Sequence, residues 1–185
     1  MIIDTLGFLE LNSIAKGIET VDAMLKAAEV ELIYAKASCP GKYYILIKGD
    51  TASVNQSIHE GIGLGSAYIV GSLVLPRIDE QVIRGINQTE VIPDETNAVG
   101  VLEYYSCTGS IIAADAAVKA ADVSIMALRL ATGLCGKSYV VVTGDTAACH
   151  SAITAGAEAA KDEALMINQV VISNPRKEVF ESLVY

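Results

Sequence analysis

Two tandem α/β domains of the α+β kind, each running βαββαβ, are what this sequence predicts, from an internal repeat, helical and strand periodicities in a fixed order, and turn residues between them. Residues 7–30 read GFLELNSIAKGIETVDAMLKAAEV and residues 100–123 read GVLEYYSCTGSIIAADAAVKAADV, sharing Gly7/Gly100, Glu10/Glu103, Ser13/Ser106, Asp22/Asp115 and Lys26/Lys119 at a spacing of 93. GKYYILIKGDTA from Gly41 then matches GKSYVVVTGDTA from Gly136 at a spacing of 95, so the second copy carries two more residues in a loop between the blocks. A repeat of this length is one folding unit used twice. The copies are residues 1–88 and 96–185, joined by a polar linker around Pro93.

Each copy opens with a strand, residues 6–11 or 99–104. A helix follows, with Ile14, Ile18, Val21, Leu25 and Ala28 on one face and Ser13 as N-cap. Two β-rich runs come next, residues 30–37 and 43–48, separated by Ser-Cys-Pro-Gly turn chemistry; in copy two they are residues 123–131 and 139–143. Asp50 and Asp145 stand where each caps a second helix, beginning at Thr51 and Thr146. A fourth strand, residues 69–75 or 165–172, leads past a proline to a short last helix. That order suits one mainly antiparallel four-stranded sheet covered by helices, as in split-βαβ folds.

Hydrophobic residues make up 52% of the 185-residue chain and charged ones 19%, more apolar surface than a lone monomer buries, so neighbouring subunits are expected to cover some of it. No apolar run approaches the roughly 20 residues of a membrane-spanning helix, and the first residues lack the pattern of a signal peptide. A cytoplasmic protein without membrane partners is expected. A net charge of −9 with scattered Lys and Arg argues against nucleic acid as a partner.

The motifs for chemistry are few. Gly61, Gly63 and Gly65 close a helix, whereas a dinucleotide loop must follow a strand and open one. His59 and His150 fall at non-equivalent helical positions without ligand-spaced partners. No Ser/His/Asp set, HExxH helix or P-loop occurs, so no enzymatic activity is predicted. Asp22/Lys26 and Asp115/Lys119 are i,i+4 pairs that support an exposed helix or mark a shared edge contact. Cys107 and Cys149 fall within helices and are expected to be buried and inert. Cys39 and Cys135 fall in the two strand-connecting loops, where a buried structural thiol is out of place.

LELNSIAKGIETVDAMLKAAEV followed by KASCPGKYYILIKGD resembles the bacterial microcompartment shell domain, and the duplication resembles its tandem-domain, trimeric members, most closely the iron–sulfur-binding kind of propanediol-utilising microcompartments. The Cys39-Pro40-Gly41-Lys42 loop carries that likeness. The resemblance implies a homotrimer with pseudo-sixfold symmetry that tiles with other shell proteins in the microcompartment shell. It implies a central pore lined by Ala37, Ser38, Cys39, Pro40 and Gly41 and, in copy two, by Thr132, Gly133, Leu134 and Cys135. It further implies edge contacts from Lys26, Lys119, Arg77 and Arg176, the two arginines being matched through the proline before each. In the similar proteins the pore cysteines of three subunits hold a 4Fe–4S cluster on the threefold axis, and Cys39 is the matching position. Lys42 is expected to lend the thiolate positive potential. Electron transfer or cluster transport across the shell, with a lumenal or cytosolic redox enzyme as partner, follows from a filled pore. A metabolite-conducting pore with Cys39 as bare lining follows from an empty one.

Overall fold

A computed structural model describes residues 5–91, 93, 97–131 and 133–184. By internal contacts they form two compact units that divide between Ile78 and Asp79. In the first, β1 (Thr5–Leu11), α1 (Ile14–Ala27), β2 (Glu31–Ser38), β3 (Lys42–Gly49), α2 (Thr51–Gly65) and β4 (Ile69–Leu75) follow one another. The sheet order is β2-β3-β1-β4, and every pair is antiparallel. Next come α3 (Glu80–Ile86), β5 (Ala98–Tyr104), α4 (Cys107–Ala120), β6 (Val123–Leu130), β7 (Ser138–Gly144), α5 (Thr146–Ala160), β8 (Met166–Ser173) and α6 (Lys177–Val184). The second sheet is ordered β6-β7-β5-β8 and is likewise antiparallel. Both copies of the predicted α+β unit are present, with the same bulge in the second strand at Leu32/Tyr34 and Ile125/Ala127.

The predicted caps form. Ser13 and Ser106 accept the N–H groups of Lys16 and Gly109, and Asp50 accepts those of Ala52 and Ser53, satisfying donors that a helix start leaves bare. Leu9, Leu11, Tyr43, Ile45 and Ile47 point from the sheet into a core with Met24 of α1 and Val54 and Ile58 of α2. The alternate residues Leu6, Phe8, Tyr44 and Leu46 are also buried, so the strands read as continuous apolar runs. Gly7 and Gly100 recur because α2 and α5 cross the first strand closely. A Cβ on Gly7 would lie 2.9 Å from a Val54 methyl, and one on Gly100 2.6 Å from Ile153.

Two details depart from the sequence expectations. The buried residues of α1 are Gly17, Thr20 and Met24, while the apolar Ile14, Ile18 and Leu25 face outward. A Cβ on Gly17 would fall 2.3 Å from the Tyr43 ring, so glycine is what lets this face of the helix settle on the sheet. The repeat alignment counts α3 with copy one, but α3 packs on β6 and lies in the second unit.

The contact with β6 is specific. As the edge strand, β6 presents unpaired backbone groups. Gln81 of α3 meets two of them, its Nε2 donating to the Val123 carbonyl at 3.3 Å and its Oε1 accepting from the Ile125 N–H at 3.0 Å. Glu90 accepts from Leu128 N–H at 3.4 Å and pairs with Arg129. The Asp79 N–H donates to Asp115 Oδ1 of α4 at 3.0 Å.

Candidate functional site: the strand-connecting loops and the helix rims

The loop from β2 to β3 is three residues long, Cys39-Pro40-Gly41. Gly41 has φ +74 with open space around the position of a Cβ, so its glycine serves backbone conformation and not packing. Cys39 is exposed, with a thiol that forms no disulfide. Ala37 and Ser38 close β2, and Ser38 pairs in register with Lys42. The loop from β6 to β7 is longer and closes on itself, with Ala131 N–H donating to Lys137 O at 3.0 Å and Leu134 N–H to Ala131 O at 2.9 Å. In it Gly133 (φ +74), Cys135 (φ +53) and Gly136 (φ +88) are left-handed. Cys135 is exposed; Thr132 lies outside the described residues. Cys107 and Cys149 are buried as expected, and burial together with the Asp145 carboxylate pushes the Cys149 thiol up.

Sequence reasoning missed what lies under these loops. Lys42 forms an ion pair with Glu10, whose side chain is fully buried, and the equivalent Lys137 lies 3.3 Å from Glu103. The Lys42 charge is therefore matched by a carboxylate, which removes the positive potential expected beside Cys39. The available signal was the recurrence of both residues in both copies, though their separation in sequence hides the contact. Glu10 Oε2 and Ser38 Oγ are buried without a hydrogen-bond partner, a polar arrangement held in the first unit only, because Ala131 replaces Ser38 in the second.

The four cations expected at the shell edge, Lys26, Lys119, Arg77 and Arg176, are exposed. Lys26 pairs with Asp22 and Lys119 with Asp115, each at 2.5 Å. Arg77 sits after β4 with φ +54. Strand register sets Leu75 against Leu6 and Ile172 against Val99, which places Asn174 (φ +47), and not Arg176, at the position of Arg77. Matching through the proline is thus two residues out of structural register. Arg176 is exposed and reaches Glu178 at 3.5 Å.

Among the described residues no three His, Cys, Asp or Glu gather into a metal-binding group, and no helix is long and apolar enough to cross a membrane. Each unit brings one exposed loop thiol, Cys39 in the first and Cys135 in the second.

The chain matches the BMC domain at residues 5–78 and again at residues 98–175. It is 40% identical, over 97% of both chains, to the bacterial microcompartment shell protein PduT of Citrobacter freundii. It is 27% identical to the carboxysome assembly protein CcmO of Synechococcus elongatus, across 96% of this chain and 68% of that one. A crystal structure of a microcompartment protein from Desulfitobacterium hafniense DCB superposes with a TM-score of 0.87 at 37% identity, covering 97% of this chain and 99% of that one. With the BMC domain matched twice and 40% identity to a microcompartment shell protein over nearly the whole of both chains, the chain belongs to the BMC domain family and is a structural shell protein of a bacterial microcompartment.

Proposed function

We propose that three copies of this chain close a pseudo-sixfold ring that tiles with other shell proteins, and that the Cys39 thiolates of the three copies hold one 4Fe–4S cluster in the central pore. The observation that carries this is the exposed Cys39 thiol at the tip of a tight loop, in a chain so similar to PduT. Such clusters are held by thiolates, and one chain supplies a single thiol at this position, so symmetry must supply the others. Three Cys39 thiolates match three irons and leave one iron without a cysteine. When bound, the cluster supplies a one-electron couple, so the ring passes electrons, or the cluster itself, across the shell. Gly41 lets the loop turn sharply, and the Glu10–Lys42 pair anchors its end to the sheet. Ala37, Ser38, Pro40 and Gly41 line the pore with Cys39, and residues 132–135 of the longer loop alternate with them. Lys26, Lys119, Arg77 and Arg176 donate at the rim to backbone carbonyls of neighbouring tiles.

Anaerobic reconstitution of wild type, Cys39→Ser and Cys135→Ser, read by iron, sulfide and low-temperature EPR, tests the assignment. Wild type and Cys135→Ser are expected to carry the cluster and Cys39→Ser to lack it. Full occupancy in Cys39→Ser overturns the assignment, and loss in both variants makes Cys135 a ligand. Absence from wild type leaves the second reading, a metabolite pore lined by bare Cys39.

A further inference from the structure

The hairpin that carries Cys39 has a charge pair built into its base. Strand register sets Ser38 of β2 opposite Lys42 of β3, so the lysine stands across from the residue that precedes Cys39. On the other side of β3, Glu10 of β1 stands opposite Tyr44. Residues two apart on a strand share a face, which puts Glu10 and Lys42 on the same side of the sheet, where they meet as an ion pair. The Glu10 side chain is 0% exposed and that of Lys42 17%. Glu10 Oε2 and Ser38 Oγ are buried without a hydrogen-bond partner, so among the described residues Lys42 alone balances the Glu10 carboxylate.

Copy two supplies a control within the same chain. Glu103 and Lys137 stand at the equivalent positions, 3.3 Å apart, with 35% and 43% of their side chains in water. Water and salt screen a pair of that kind, whereas charges in a buried pair act far more strongly on whatever lies beside them. The buried pair thus belongs to the loop of Cys39 and the screened one to the loop of Cys135.

We infer that Glu10 sets the reduction potential of the cluster held by Cys39, by neutralising the one cation built into the base of its loop. The inference rests on the cluster reading above and gives Glu10 a role toward that group. Glu10 acts through Lys42 and is a positioning residue, not a ligand. Reduction adds one negative charge to a 4Fe–4S cluster, and the potential of such a centre follows the charge, hydrogen bonding and solvent access around it. An unmatched ammonium at Lys42 favours the added electron. The Glu10 carboxylate takes that advantage away and keeps the couple low.

Redox titration followed by low-temperature EPR tests it on anaerobically reconstituted wild type, Glu10→Gln, Lys42→Gln, Glu10→Gln/Lys42→Gln and Glu103→Gln, with circular dichroism and light scattering confirming fold and assembly. Glutamine at position 10 keeps an oxygen for Lys42, and glutamine at position 42 keeps an amide for Glu10. At the wild-type midpoint Glu10→Gln is expected to hold about ten times more reduced than oxidised cluster, an upward shift of about 59 mV for one electron. Lys42→Gln is expected to shift downward by a similar factor. The double variant and Glu103→Gln are expected within about twofold of wild type, the one because its local charge is unchanged and the other because its pair is screened. Opposite signs mark an electrostatic role, since mere damage to the loop lowers iron and sulfide content in both single variants alike. Either single variant that carries the cluster decides alone. An unchanged or lowered midpoint in Glu10→Gln overturns the inference, and so does an unchanged or raised one in Lys42→Gln. Loss of the cluster from both single variants and the double makes the pair a structural anchor only and overturns it too. An equal shift in Glu103→Gln overturns the assignment to the buried pair. Wild type without a cluster overturns the cluster reading itself.

Discussion

Glu10 and Glu103 hold the same place in their copies but live in different surroundings. Glu10 is fully buried against a mostly buried Lys42, whereas Glu103 and Lys137 are both about half in water. Removing one partner from a buried pair leaves a charge that water cannot reach, so Lys42→Met is expected to cost about 3–5 kcal/mol, while Lys137→Met is expected to cost less than about 1 kcal/mol. Denaturant titrations at one fixed chain concentration measure both, and equal losses would contradict the burial difference. Asp50 supplies a pH-dependent counterpart. Hydrogen bonds from Ser53, side chain first and then backbone, and from Ala52 hold its carboxyl below the ordinary 3.8. A depressed carboxyl contributes stability that is complete above the unfolded value and is lost as pH falls through the folded one. Wild-type stability is thus expected to drop below about pH 3.8 more steeply than that of Asp50→Asn, with parallel acid-unfolding curves as the contrary result.

Among the elements, strands and caps were legible because apolar, β-rich runs bounded by turn residues and Ser or Asp before a helix have local causes. The inner face of α1 was not. Helical periodicity places the apolar Ile14, Ile18 and Leu25 on one side, and the usual expectation turns that side inward, yet the ring of Tyr43 needs the space that only Gly17 leaves. The allegiance of α3 was hidden for another reason, since a repeat alignment pairs residues and carries no information about which sheet a connecting helix settles on. The Glu10–Lys42 pair was hidden because register, and not sequence proximity, brings the two together. Gln81 offers a test at this scale. Gln81→Ala leaves the Ile125 N–H and the Val123 carbonyl without their partner, and a loss of about 1–3 kcal/mol is expected, with faster exchange of the Ile125 amide. Unchanged exchange there would mean that the edge is covered without the glutamine.

For the whole molecule, the fold and the loop thiols could be read from the repeat and the turn chemistry, but the difference in exposure between equivalent residues of the two copies, such as Ile18 and Ile111, could not, because it depends on what packs over each copy. The lysines proposed for the shell edge belong here too. Lys26→Ala/Lys119→Ala is expected to keep three-chain mass and to fail to enter sheets with other shell proteins, by light scattering and electron microscopy. Entry at the wild-type level would leave the two lysines with only their aspartate partners.

The close seat of α3 on β6 has a thermodynamic side. A junction whose two halves share one polypeptide forms at a high effective concentration and escapes most of the several kcal/mol, about 4–15, that free association costs in translational and rotational freedom. The glycine at position 85, where a Cβ would sit 2.9 Å from Leu128, is what lets the helix come that close to the strand within one chain.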